Sequence, residues 1–117
     1  MVSNAQFVKY PFSFPDVKEA PHREHTAYKV KGKIFVTHNK KENRCCVLLS
    51  KEEQPLFCMI DEKLIYPVPN KWGNYGWTLV NLKLIKKDML KEVLTAAYCN
   101  VAPKNLAEPF LQEIESF

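Results

Sequence analysis

Apolar and polar residues alternate most regularly between residues 26 and 50. The run "TAYKVKGKIFVTH" is broken at Gly32, and the polar segment "NKKEN" separates it from "RCCVLLS". Short polar breaks between apolar runs are typical of tight hairpins. The pattern therefore predicts three antiparallel strands, at residues 26–30, 33–38 and 44–50.

A helical period replaces this alternation near residue 86. Apolar residues then recur at intervals of three and four until Pro103 ends the pattern: Met89, Leu90, Val93, Leu94, Ala97, Tyr98 and Val101. This spacing predicts a helix over 87–101. We expect the face formed by Leu90, Val93, Leu94 and Ala97 to pack on the sheet.

The remaining elements are shorter. Residues 3–10 predict one or two helical turns, and an S-x-x-E capping box at Ser50 and Glu53 predicts a short helix at 52–60. "KLIYPV" and "GWTLVNL" predict two further strands. The prolines of "FPDVKEAPHREH" instead indicate irregular chain. The order α-β3-α-β2-α predicts an α+β layer fold with a mainly antiparallel sheet and helices packed against it.

The two faces of the predicted sheet differ in character. In strand 26–31, Tyr28 and Val30 share one face while Lys29 and Lys31 share the other, which predicts an open, basic outer face at one end. Trp77 begins an apolar strand, and we expect it in the core.

Composition limits the partners. The 117 residues predict one domain, and the formal charge of +4, from 17 basic and 13 acidic residues, permits a nucleic-acid partner without requiring one. Only Arg23 and Arg44 are arginines, so the chain is poorly equipped for reading bases but well equipped for contacting phosphates. No apolar run approaches membrane-spanning length and no signal peptide is visible, so we expect a cytoplasmic protein without a membrane partner.

The residues that commonly perform catalysis or bind metals form no known motif. The four cysteines lack a C-x-x-C pair or zinc-finger spacing, and we interpret them as small apolar residues in a reduced protein. "HREH" is interpreted as a polar loop. The sequence contains no P-loop, dinucleotide fingerprint or nucleophile elbow, so we expect no enzyme, cofactor or metal. An enzyme would need a cavity that unites His22 or His25 with Cys58 or a carboxylate.

The stretch "YPVPNKWGNYGWT" contains both tryptophans and two of the three glycines. Gly73 and Gly76 bracket a turn that favours positive φ. Trp72 lies in a loop, where an aromatic side chain is less easily buried. Asn70, Lys71 and Trp72 are therefore candidate contacts for a base, a phosphate or a peptide.

This stretch, followed by a helix and "VAPK" at residues 101–104, resembles the MmcQ/YjbR family. Upstream, "EAPH", "KVKGKIFVTH" and "LLSKEEQ" resemble segments of that family in the same order, so the resemblance covers about residues 5–104. It implies a fold also found in secretion-chaperone-like proteins, and DNA binding by a "double wing" of hairpins. The chain departs from the family pattern at Arg23 and Glu24, where many members have an aromatic residue and a glycine.

These observations predict a single domain over 1–104 and a C-terminal extension over 105–117. We expect this extension to dock as a short helix through Phe110, Leu111 and Ile114. The leading functional hypothesis is weak, non-specific DNA binding by the hairpin tips and the open sheet face. The residues assigned to it are Lys29, Lys31, Lys33, Lys40, Lys41, Arg44, Asn70, Lys71 and Trp72. The alternative is a peptide- or protein-binding module. One continuous patch of the basic residues would favour nucleic acid, whereas an apolar groove beside Trp72 would favour a peptide.

Overall fold

The computed structural model describes the backbone of residues 1–115 and the side chains of residues 1–111. Within these residues the chain has an α+β fold with one antiparallel sheet. The strands are β1 (Val17–His22), β2 (His25–Val30), β3 (Lys33–Asn39), β4 (Arg44–Leu48), β5 (Ile65–Pro67) and β6 (Trp77–Asn81). The helices are α1 (Asn4–Phe7), α2 (Glu53–Cys58), α3 (Lys87–Val101) and α4 (Lys104–Glu115). The strand order across the sheet is β1-β2-β3-β4-β6-β5.

The strands and helices predicted from the alternation and periodicity are confirmed, but the prediction of irregular chain before them is wrong. β1 pairs with β2 along its whole length, from Val17 opposite Val30 to His22 opposite His25. β1 lies at the edge of the sheet. An edge strand tolerates proline because one row of its N–H groups has no partner strand, and Pro21 is therefore compatible with the pairing.

Helix α3 covers one face of the sheet. Leu90, Val93, Leu94 and Ala97 are all fully buried, which confirms the predicted packing face. They belong to the same core as Val36, Val47 and Val80 from the central strands. Burial of this apolar surface is the main source of the domain's stability.

A β-bulge adds an aromatic cluster to this core. Tyr28 pairs with Val36 and Lys29 pairs with Ile34, which leaves Phe35 as an extra residue in β3. Phe35 is buried and contacts the rings of Phe14 and Tyr98 edge-on.

Helix α4 packs against this aromatic cluster. The ring of Phe110 lies 5.2 Å from that of Phe14 and 5.6 Å from that of Tyr98. Leu111 is exposed, and the side chain of Ile114, the third residue of the predicted apolar stripe, lies outside the described residues.

A buried histidine links the N-terminal segment to the sheet. Nε2 of His38 lies 3.1 Å from Oδ1 of Asn4, while the amide of Asn4 donates to the carbonyl of Lys40. Because Oδ1 can only accept, Nε2 of His38 carries the proton, and the buried Nδ1 has no partner among the described residues. Burial, together with the positive charges of Lys40 and His25, lowers the pKa of His38 to about 4. The core therefore holds this imidazole in its neutral form.

Candidate binding groove on the open sheet face

The face of the sheet opposite α3 contains an open cavity of about 820 Å³, here called the groove. The central strands contribute apolar and small polar side chains to its lining. The turn between β1 and β2 lies on one side, and the loop that follows β5 lies on the other. The lining residues are His22, Arg23, Glu24, His25, Ile34, Thr37, Asn39, Arg44, Cys45, Cys46, Val68, Asn70, Trp72, Trp77 and Leu79.

Trp77 belongs to this groove, so the prediction that it lies in the core is wrong. Its side chain is half-buried, and it is opposite Leu48 in the β4–β6 pairing. Alternation in a strand places Trp77 on the same face as Leu79 and opposite to Val80, and α3 packs on the face that contains Val80.

The turn between β1 and β2 places charged and imidazole groups at one side of the groove. His22 and His25 face each other across the strand pair, and only Arg23 and Glu24 connect them. Arg23 has a backbone φ of 59°, in the left-handed region that glycine adopts without cost. This turn presents one guanidinium, one carboxylate and two imidazoles to the groove.

The opposite side is a loop with a demanding backbone. A Cβ atom at Gly73 would collide with the carbonyl oxygen of Val68, and one at Gly76 would collide with that of Leu49. Gly76 also has a φ of 103°. The prediction of a positive-φ turn is confirmed at Gly76, while Gly73 is required because another carbonyl approaches it closely.

Side-chain hydrogen bonds hold this loop in place. Oδ1 of Asn70 accepts from the backbone N–H of Trp72 at 2.9 Å, which forms an Asx-type turn. From α2, the amide of Gln54 donates to the carbonyl of Gly73 and to Oγ1 of Thr78, both at 3.0 Å. Asn70 therefore has a structural role in addition to lining the groove. Sequence analysis missed Gln54, because no local pattern shows that α2 reaches this loop.

The loop presents Trp72 at the rim of the groove. Its side chain is 51% exposed, the ring of Tyr75 packs edge-on against it, and Nζ of Lys71 lies 5.4 Å from its ring centre. The exposed aromatic surface together with the neighbouring cation can bind a planar ligand group.

Arg44 brings a second guanidinium to the groove from the central sheet. It is half-buried and precedes Cys45 and Cys46. Burial raises the pKa of the Cys46 thiol to about 11, although the Thr78 backbone N–H and the positive charge of Arg44 act in the opposite direction. The thiol in the groove is therefore neutral at physiological pH, which argues against nucleophilic chemistry by Cys46.

The predicted lysines do not form one patch. Lys29 and Lys33 line a second cavity of about 540 Å³, which shares Ile34 and Trp77 with the groove. Lys31 lies in the turn between β2 and β3 and pairs with Asp16 at 3.4 Å. Lys40 and Lys41 are exposed in the turn at the other end of β3. A seven-residue strand separates the two turns by about 20 Å.

Of the basic residues that the sequence analysis assigned to DNA binding, Arg44 lines the groove, and Lys29 and Lys33 line the adjoining cavity. The residues that sequence analysis left out are His22, Arg23 and His25. The symmetric "HREH" would have indicated a hairpin tip if the preceding residues had been recognised as a strand. Pro21 concealed that strand.

The groove partly meets the requirement stated above for an enzyme. It unites both histidines with the carboxylate of Glu24, but Cys58 does not line it. No hydrogen bond joins His22 or His25 to Glu24 in the described part of the chain, so no pair of a catalytic base and its orienting group is formed there.

Among the described residues, no group of three or more His, Cys, Asp or Glu side chains could hold a metal ion. No helix in this part of the chain is long and apolar enough to cross a membrane.

Comparison with known proteins agrees with this fold. The chain is similar over 98% of its length to 89% of the Deinococcus radiodurans protein DR2400, which contains a DUF419 domain, with a TM-score of 0.74 and 19% sequence identity. At this identity the likeness shows a shared fold. No curated protein sequence matches the chain. The family model described as YjbR matches residues 12–100, which is well over half of the chain. The chain therefore belongs to the YjbR family.

Proposed function

We propose that the groove binds single-stranded nucleic acid. The observation that carries this proposal is that both tryptophans and both arginines of the chain line one open cavity. Proteins that bind single strands combine aromatic side chains, on which bases stack, with cations that follow the phosphates. The groove provides both kinds of group.

The second cavity extends this surface. It adjoins the groove through Ile34 and Trp77, and Lys29 and Lys33 line it. Cations therefore line both cavities, together with aromatic and aliphatic side chains. A polyanion with unstacked bases matches this combination of groups better than a uniformly apolar ligand would.

Single strands fit better than a duplex for two reasons. The basic hairpin tips that a double wing would use lie at opposite ends of β3, so the one continuous basic patch that would have favoured nucleic acid over a peptide is missing among the described residues. A duplex would depend on those tips, whereas a single strand in the groove would not. In addition, bases can stack on Trp72 only if they are unpaired and exposed.

An acidic, extended peptide is the second candidate. Ile34 and Leu79 line the same cavity as Trp72, and an apolar groove beside Trp72 is the feature that the sequence analysis expected of a peptide-binding site. The same arginines would then bind carboxylates instead of phosphates.

The test is fluorescence titration of the tryptophans with a 12-nucleotide oligothymidylate, its duplex with oligoadenylate, and a 12-residue glutamate-rich peptide. At about 50 mM salt we expect the single strand to bind most tightly, with log K falling against log salt with a slope of about −2 to −3 for three to four phosphate contacts. Trp72→Ala should weaken single-strand binding by about 1–3 kcal/mol. Phe12→Ala is the matched control, because Phe12 is also exposed but lines neither cavity.

The absence of oligothymidylate binding at tens of micromolar protein would contradict the proposal, because electrostatic binding is strongest at low salt. Binding of the acidic peptide alone would then favour the second candidate.

A further inference from the structure

We propose that Arg23 and Arg44 form a phosphate-binding pair at the hairpin-turn side of the groove, and that the chain retains a strained backbone at Arg23 to place its guanidinium there. The inference deepens the proposed single-strand function and rests on it for the source of the phosphate. A phosphate group is the ligand chemistry in every case, whether it is an internal phosphodiester, a terminal phosphate or the free ion.

The first argument is conformational. Arg23 has a φ of 59° in a connection of only two residues. An L-residue pays a cost in this region that glycine avoids. Strained backbone positions persist mainly where the surrounding structure or the function requires them. Asp16, Lys31 and Asn43 share this conformation, and of these four residues only Arg23 also lines the groove. A glycine would satisfy the turn at position 23 but would remove the guanidinium.

The second argument is electrostatic. In the part of the chain with described side chains, the only ion pair is that between Lys31 and Asp16, so Arg23 and Arg44 have no carboxylate within ion-pairing distance there. Both arginines nevertheless line one cavity. Glu24 contributes one opposing charge to the same lining, which leaves the pair in excess. A phosphate would satisfy both guanidiniums, since the planar fork of arginine matches phosphate oxygens in a bidentate manner.

The third argument concerns the neighbouring groups. His22 and His25 flank Arg23 as cross-strand partners, and the amide of Asn39 lies in the same lining. Imidazole and amide N–H groups are additional donors for phosphate oxygens. The turn side of the groove is therefore rich in donors, while the aromatic surface of Trp72 lies across the cavity.

The decisive variant is Arg23→Gly, because its two expected effects have opposite signs. Relief of the left-handed strain should raise the Tm by about 3–6 °C. Loss of the guanidinium should weaken binding of the oligothymidylate 12-mer by about tenfold. A purely structural role for Arg23 would not produce this combination.

Lys31→Gly is the matched control. Lys31 also has a positive φ, of 50°, and also carries a positive charge in a two-residue hairpin turn, but it does not line the groove. We expect the Tm of the Lys31→Gly variant to rise by a similar amount, because the exposed ion pair between Lys31 and Asp16 contributes little to stability. Its affinity for the 12-mer should change less than about twofold.

Each outcome has a definite meaning. If the wild-type protein binds the 12-mer and Arg23→Gly binds it equally well, the phosphate pair is wrong while the single-strand function stands. A fall in Tm for Arg23→Gly would overturn the argument from strain. Equal binding of 12-mers with and without a 5′-phosphate supports recognition of an internal phosphodiester, and tighter binding of the phosphorylated strand supports recognition of its end.

If the wild-type protein does not bind the 12-mer, the proposed function fails and inorganic phosphate becomes the probe. NMR signals of the Arg23 and Arg44 side-chain Nε–H groups should then shift with phosphate but not with chloride at equal ionic strength. The absence of a phosphate-specific shift would overturn the phosphate pair as well.

Discussion

Alternate residues of β4 lie in two different environments. Val47 is completely covered beneath the helix layer, whereas Cys46 and Leu48 on the other face are only half-buried. The same contrast appears in β6 between Val80 and its neighbours. Both faces are apolar, but only one has a helix packed on it, so apolar character alone does not reveal which face is the core. The open face combines this apolar surface with two arginines, Arg23 and Arg44, and that combination is typical of a surface that binds a ligand.

The largest expected effect tests this contrast with one leucine from each face. Leu94→Ala, in the fully buried face of α3, should lower the free energy of unfolding by about 2–5 kcal/mol, because it leaves a cavity in the core. Leu79→Ala on the open face should cost about 1 kcal/mol or less, because its side chain is only half-buried. Denaturant unfolding measures both values. Equal losses would show that the two faces do not differ in their energetic contributions.

Acid titration tests a polar group within the covered face. Because the pKa of His38 is lowered to about 4, the unfolded chain binds more protons than the folded one below the ordinary histidine pKa of 6.5. Stability should therefore fall as the pH decreases from about 6.5 towards 4, by at most about 3 kcal/mol. His38→Gln should flatten this part of the curve of stability against pH.

Truncation tests whether the helix layer is complete without α4. Removing residues 106–117 eliminates Phe110, which contacts Phe14 and Tyr98. Exposure of this aromatic cluster should lower stability by about 2 kcal/mol, measurable as a fall in Tm. If the Tm does not change, and light scattering shows the same number of chains per particle, residues 106–117 contribute nothing to the covered face.

The smallest expected effect concerns the hairpin tip outside the groove. If single strands bind in the groove, Lys40→Gln combined with Lys41→Gln should change affinity for oligothymidylate by less than about threefold at 150 mM salt, where the Debye length is about 8 Å. The double-wing hypothesis instead predicts that removing two phosphate contacts flattens the salt dependence of duplex binding by about two units. Measuring both slopes distinguishes the groove from the hairpin tips.

Local patterns in the sequence predicted much of the fold. The helical period near residue 94 identified the buried face of α3, and Gly32 marked the turn between β2 and β3. These signals are local because side-chain periodicity and turn chemistry depend on neighbouring residues. β1 was missed because proline normally argues against a strand, and its acceptance at a sheet edge depends on where the strand lies in the sheet.

The candidate site was predicted only in part for the same reason. Trp72 and Arg44 were identified from residue type, but Arg23, Trp77 and Gln54 acquire their roles through long-range pairing. The order β1-β2-β3-β4-β6-β5 decides that the "HREH" turn and the Trp72 loop lie on opposite sides of one cavity. By itself, the sequence determined the main helix, all strands except β1, the family resemblance and the mild positive charge. Only the tertiary structure decided which sheet face α3 covers and which side chains meet on the open face, because both depend on contacts between residues far apart in the chain.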